Sequence, residues 1–147
     1  MELGEALSFV RAHNEGVLAT IKRDGRPQLS NVLYLLGGGD GGLDQDVVRI
    51  SVTESRAKTR NLRRNPRGSL YVVGDSFFAY VVLEGTVDLS DVAKARDDEV
   101  VEELVSMYRW LRGEEHPNWD EFRDAMVQEG RLVARFRPER AYGMIRA

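Results

Sequence analysis

The sequence predicts an α+β fold, mainly β: an antiparallel sheet or barrel, with helices on its outside. Three observations carry that expectation. Short runs rich in valine, isoleucine and aromatic residues recur along the chain, several alternating apolar and polar residues. An Asp24-Gly25 pair between two such runs is a strong hairpin signal. The element order β-β-β-α-β-β-α-α-β-β groups strands together, where a doubly wound parallel sheet would alternate them with helices. A length of 147 residues is enough for one core, so a single domain over 1–147 is expected.

Residues 5–13 open the chain as a short amphipathic helix, with Leu7 and Val10 one turn apart. Val17, Ala19 and Ile21 alternate with Leu18, Thr20 and Lys22 as a first strand, which turns at Arg23-Asp24-Gly25-Arg26. Pro27 then starts the return strand, where a missing N–H is tolerated. That second strand reads from about Gln28 to Leu36. Gly37 to Asp46 holds five glycines and reads as a loop; Val47 to Val52 is a third strand. Thr53, Glu54 and Ser55 offer side-chain caps for a helix over Arg56 to Asn65, which Pro66 ends. Two further strands follow, GSLYVVG and FFAYVVLEGTVDL, with a bulge expected at Gly85. Val100, Leu104, Met107, Tyr108 and Leu111 then repeat at three-to-four spacing as a helix. Asn118 to Glu121 resembles a capping box opening another, with Trp119, Phe122, Met126 and Val127 turned inward. The segment RLVARFRPERAYGMIRA closes the chain as two short strands.

Composition removes several function classes. There is no cysteine, hence no disulfide and no thiolate metal site. No apolar run approaches the roughly 18 residues of a membrane helix. The first residues lack a signal-peptide layout and no Asn-x-Ser/Thr sequon occurs, so a cytoplasmic location is expected. The two histidines, His13 and His116, have no partner at i+3 or i+4 and read as ordinary surface residues. No GxSxG, no phosphate-binding GxxxxGK[ST] and no dinucleotide fingerprint is present. The acid pairs Asp97-Asp98 and Glu102-Glu103 read as a solvated face at a helix start. Phe77-Phe78 reads as core or dimer packing.

Charge is unevenly placed. The net charge is −3, yet six basic residues fall within the twelve positions from Arg56 to Arg67, and no acid occurs between Glu54 and Asp75. Arg56, Arg60 and Arg64 follow i, i+4, i+8 spacing and would line one face of a helix. Lys58 lies about 200° round an ideal helix from Arg56, so one ligand can meet both only if the first turn bends around it. A strand-to-helix turn with free backbone N–H groups meets that condition and favours anions. This predicts a phosphate site built from Ser51, Thr53, Arg56 and Lys58. The same cations are also compatible with a solvated helix face or a nucleic-acid contact, though the acidic remainder of the chain would repel the latter.

GVLATIKRDGRPQLSNVLY, SVTESRAKTRNLRRNPRGSLYVV and the EGTVDL strand together resemble the pyridoxamine 5′-phosphate oxidase-like split β-barrel superfamily. More narrowly they are similar to its deazaflavin (coenzyme F420)-dependent oxidoreductase branch. The resemblance spans nearly the whole chain, and its most specific part is the R-x-K-x-R-N-L-x-R-x-P segment. It implies a six-stranded, FMN-binding-like split barrel that forms a homodimer, with cofactor grooves between subunits. It further implies that Arg56 and Lys58 hold the cofactor phosphate, that Thr59 and Asn61 border the cofactor, and that Gln28, Ser30 and Asn31 run along its tricyclic ring. Ser51 would sit near the phosphate or side chain of the cofactor, and Arg60 and Arg64 would be available to a polyglutamate tail. The expected activity is hydride transfer between coenzyme F420 and an unsaturated small organic substrate. The alternatives are an FMN-dependent oxidoreductase of the pyridoxamine 5′-phosphate oxidase type, or a non-catalytic protein binding a cofactor or tetrapyrrole. An arginine-to-lysine ratio of 18 to 3 suits a GC-rich genome and inclines the choice to F420.

Overall fold

The computed structural model describes residues 1–37 and 44–146. In order these form α1 (Leu3–Arg11), β1 (Glu15–Ile21), β2 (Pro27–Leu33), β3 (Leu35–Leu36), β4 (Val48–Thr53) and α2 (Ala57–Arg64). Then come β5 (Arg67–Val73), β6 (Tyr80–Leu89), α3 (Glu99–Arg112), α4 (Trp119–Gln128) and β7 (Arg131–Met144). All strands join one antiparallel sheet in the order β2-β1-β5-β6-β7-β4-β3. The two edge strands, β2 and β3, are neighbours in the chain, so the sheet curls into a half-barrel.

The β1–β2 hairpin turns as its sequence requires. Gly25 takes φ +87°, the Arg26 N–H donates to Asp24 Oδ1 at 3.0 Å, and Pro27 is the first residue of β2. Curling depends on Tyr34, which separates β2 from β3. Its side chain is wholly buried, its hydroxyl donates to the Val10 carbonyl at 2.6 Å, and its N–H donates to the Asn14 carbonyl at 2.9 Å. Burial pushes the Tyr34 phenol far above its usual range, so it stays a neutral donor.

Alternation along the strands sorts side chains onto two faces. The inner face carries Leu18, Leu70, Leu83, Ile50, Leu132 and Phe136, closed at one end by Ala6, Leu7 and Val10 of α1. The outer face of β4 and β7 is covered by α3 and α4, where Val100, Val101, Leu104 and Met107 pack on Val133, flanked by Phe122, Met126 and Val127. The inward residues expected of both helices are therefore half right in kind and new in address: they bury against the outside of the barrel.

Seven strands are present among the described residues, where the resemblance implied six. Tyr34 interrupts the second strand and creates β3, while the last two expected strands are one continuous β7. Pro138 does not break β7 because it faces Gly85, where the register shifts and the ladder bond it lacks is already disrupted. The bulge at Gly85 falls where the sequence placed it; a Cβ there would collide with the Arg137 carbonyl. The expected loop from Gly37 to Asp46 lies outside the described residues over 38–43.

Three further expectations are corrected. Phe77 and Phe78 are 75% and 70% exposed, which removes the core half of their expected role and leaves dimer packing. The histidines are half-buried and tied in: His13 Nδ1 lies 2.9 Å from the Phe9 carbonyl oxygen, and His116 Nδ1 accepts the Asn118 N–H at 2.9 Å. Glu103 is not on a solvated face. Its carboxylate is enclosed between Arg49 and Arg135, with Arg49 Nε at 2.9 Å and Arg135 Nε at 3.1 Å. Arg49 and Arg135 are register partners on the outer face of β4 and β7, so the triad bolts α3 to the sheet.

Candidate functional site

A groove of about 550 Å³ opens on the outer face, between the free edge of β2 and strand β4. Asn31, Val32 and Leu33 form its β2 side, and Ser51, Val52 and Thr53 its β4 side. One end is cationic, with Arg56, Lys58 and Arg131; the opposite wall is apolar, built by Leu104, Met107, Tyr108 and Leu111 of α3 with Phe122 and Met126 of α4.

Local backbone geometry explains how Arg56 and Lys58 meet. Arg56 is the N-cap of α2 in extended conformation (φ −77°, ψ 151°), outside the helical repeat, so the 200° separation does not apply. The expected side-chain caps from Thr53 and Ser55 are absent: no side chain caps the first turn. The Thr53 carbonyl instead accepts the Thr59 hydroxyl at 2.7 Å. Uncapped first-turn N–H groups and a positive helix end thus face the same region as the two cations. Thr53 Oγ1 is buried and has no hydrogen-bond partner among the described residues, an expensive arrangement that a ligand acceptor or donor would relieve.

Electrostatics at this end favour an anion. Burial, and then the charges of Arg56 and Arg131, hold the Lys58 ammonium below its usual range. Arg131 is partly offset by Glu129 at 3.0 Å, and its Nη1 reaches Ser51 Oγ at 3.4 Å. Thr53 and Arg131 are register partners, and Ser51 lies two residues along the same face.

The expected site residues divide into groups. Asn31, Ser51, Arg56 and Lys58 line the groove. Gln28, Arg60, Asn61 and Arg64 line a second cleft of about 470 Å³ with Lys22, Arg23 and Asp24. Arg60 and Arg64 do share a helix face, but Arg56 is not on it. Asn61 is buried, donating Nδ2 to Thr20 Oγ1 at 3.1 Å and accepting from Arg64 at 2.9 Å, so its amide is committed to joining α2 to β1. Thr59 is wholly buried. Ser30 is half-buried on the face of β2 opposite Asn31 and lines neither cavity. Arg131 and the α3–α4 wall were not foreseen. They approach the basic segment only through the Thr53–Arg131 pairing and the packing of α3, neither of which leaves a mark in local spacing. Among the described residues no group of three histidine, aspartate or glutamate side chains could hold a metal ion.

Comparison with known proteins agrees with this architecture. The family model described as pyridoxamine 5′-phosphate oxidase matches residues 3–145. Among solved structures, a conserved hypothetical protein from Mycobacterium tuberculosis is 26% identical with a TM-score of 0.68, over 96% of this chain and 82% of that one. An F420 reductase is 22% identical with a TM-score of 0.62, over 92% and 94%. The heme storage protein HutZ from Vibrio cholerae is 19% identical with a TM-score of 0.65, over 96% and 93%.

Proposed function

Because the chain belongs to the pyridoxamine 5′-phosphate oxidase family, we propose that it is a coenzyme F420-dependent oxidoreductase acting on an unsaturated small organic substrate. The observation that carries this reading is the doubling of cationic sites around α2. Arg56, Lys58 and Arg131 form one at the groove, and Lys22, Arg23, Arg60 and Arg64 form another in the adjoining cleft. FMN carries one phosphate and needs one such site; a deazaflavin with a polyglutamate tail carries several separated anions.

The bound deazaflavin supplies hydride chemistry; the chain supplies affinity, orientation and a dry wall. Arg56, Lys58 and Arg131 hold the phosphate, with the orphaned Thr53 hydroxyl as a further partner. Asn31 positions the ring from the edge of β2. Leu104, Met107, Leu111 and Phe122 exclude water from the opposite side. Tyr34 and its buried hydroxyl take no part, since the Val10 carbonyl already holds it.

Titration of the purified protein with F420 and FMN at equal salt tests the cofactor assignment. Tighter F420 binding, with affinity falling on Arg60→Ala plus Arg64→Ala, supports it. Preferential binding of FMN or of heme would replace it with the corresponding reading.

A homodimer is part of the same proposal. The outer face of β2, β1, β5, β6 and β7 exposes Leu29, Leu33, Tyr71, Val73, Tyr142 and Met144, aligned across the sheet by registers such as Asn31–Val17–Tyr71–Val82–Tyr142. An apolar patch of this continuity supports that reading. Analytical ultracentrifugation should show a dimer that Leu33→Glu plus Tyr71→Glu converts to monomer.

A further inference from the structure

The groove holds one more cation besides Arg56, Lys58 and Arg131. Arg112, the last residue of α3, lines it together with the apolar wall. The surrounding α3–α4 region is rich in carboxylates, and its other arginines are engaged by them: Arg96 by Asp124, Arg109 by Glu115 and Arg123 by Glu102. Among the described residues Arg112 has no carboxylate partner. Its guanidinium instead lies over the Tyr108 ring, 5.4 Å from the centroid, and that ring also faces the groove. A cation held on an aromatic face keeps its hydrogen-bonding edge free, and a fork of N–H donors suits a carboxylate.

We infer that Arg112 is a specificity-determining residue, and that the substrate is a flat apolar carboxylic acid whose carboxylate pairs with Arg112 while its body lies on Tyr108, Leu111 and Phe122. The inference rests on the proposed oxidoreductase reading for the word substrate, but the binding site does not depend on which cofactor occupies the cationic end. One cation on an otherwise apolar wall, in the groove that also holds Arg56, Lys58 and Arg131, fits a small acid bound beside a phosphate-bearing cofactor. A position at the α3 C-terminus also suits an arginine electrostatically, so stability alone would not reveal the role.

Equilibrium binding of trans-cinnamate and its methyl ester to the cofactor-free protein, followed by intrinsic fluorescence, is the test. The acid should bind and the ester should bind more weakly. Arg112→Gln should weaken cinnamate by about tenfold while leaving the ester unchanged, and Arg112→Lys should restore part of the loss. Arg96→Gln, which removes a neighbouring arginine that is held by Asp124 and does not line the groove, should leave cinnamate affinity within about twofold. Equal binding of acid and ester, an Arg112→Gln variant indistinguishable from wild type, or an equal loss of cinnamate binding in the Arg96→Gln variant would each overturn the assignment. Failure of F420 to bind would remove the cofactor reading while leaving this carboxylate site to stand or fall on its own titration.

Discussion

Replacing Glu103 by alanine is expected to destabilise the protein by about 3–5 kcal/mol, the usual cost of leaving buried charges without their partner. Arg49 and Glu103 are almost wholly enclosed, and Arg135 completes the triad. Removing the carboxylate leaves two arginines side by side on the outer face of β4 and β7 with nothing between them. The loss should also reach the groove, because Leu104 and Met107 of its wall follow Glu103 on the same helix. Thermal or urea unfolding with circular dichroism checks the first effect, and cofactor titration of the folded fraction the second. Removing one arginine together with the acid, as in Arg49→Met plus Glu103→Leu, should cost less than Glu103→Ala alone.

The same triad sets an acid limit on stability. Burial opposes ionisation of Glu103, but the hydrogen bond and charge of Arg135, and then those of Arg49, outweigh it and hold the carboxyl below the usual range. A glutamate lowered in the folded state contributes stability that is complete above its unfolded value, about 4.3, and is lost as pH falls through the lowered one. Glu103→Gln should therefore be less stable than wild type at neutral pH and should flatten that part of the acid unfolding curve.

The second large effect is on ligand affinity. Arg56→Ala plus Lys58→Ala should weaken F420 binding by about 100-fold, since each charge-assisted contact is worth about 1.5–3 kcal/mol before discount for the exposure of Arg56. The fold should be retained, because Arg56 is exposed, Lys58 is half-buried, and the nearby carboxylates Glu54 and Glu129 pair with Arg63 and Arg131 instead. Lys58 adds a pH signature. Its ammonium is already pushed below the ordinary range, so affinity should fall with rising pH earlier than an ordinary lysine would allow, and Lys58→Arg should remove that fall. An unchanged affinity in the double variant would dismantle the phosphate clamp.

Much of this was legible in the sequence because it is local. The Asp24-Gly25 turn, the Pro27 strand start, the bulge at Gly85 and the Asn118 cap, whose side chain accepts the Glu121 N–H at 3.1 Å, each depend on a few adjacent residues. The basic cluster from Arg56 to Arg67 was visible as a count, and its place after a strand suggested an anion. Its sorting was not. Arg56 and Lys58 face the groove, Arg60 and Arg64 the neighbouring cleft, and Arg63 pairs with Glu54 at 3.0 Å.

Pairings across long stretches of chain are set by packing, not by local sequence. Arg131 reaches the cationic end of the groove because β7 lies beside β4 in a particular register, with 77 residues between Thr53 and Arg131. Glu103 looked like one acid among several on a helix start, and became a buried bolt because two arginines from distant strands share its side of the sheet. The apolar wall and Arg112 come to the groove through the packing of α3 on Val133. Hydrophobic period and turn chemistry act over a few residues and so write themselves into the sequence. Register and helix docking are set by the summed burial of the whole core, and no short stretch of residues contains them.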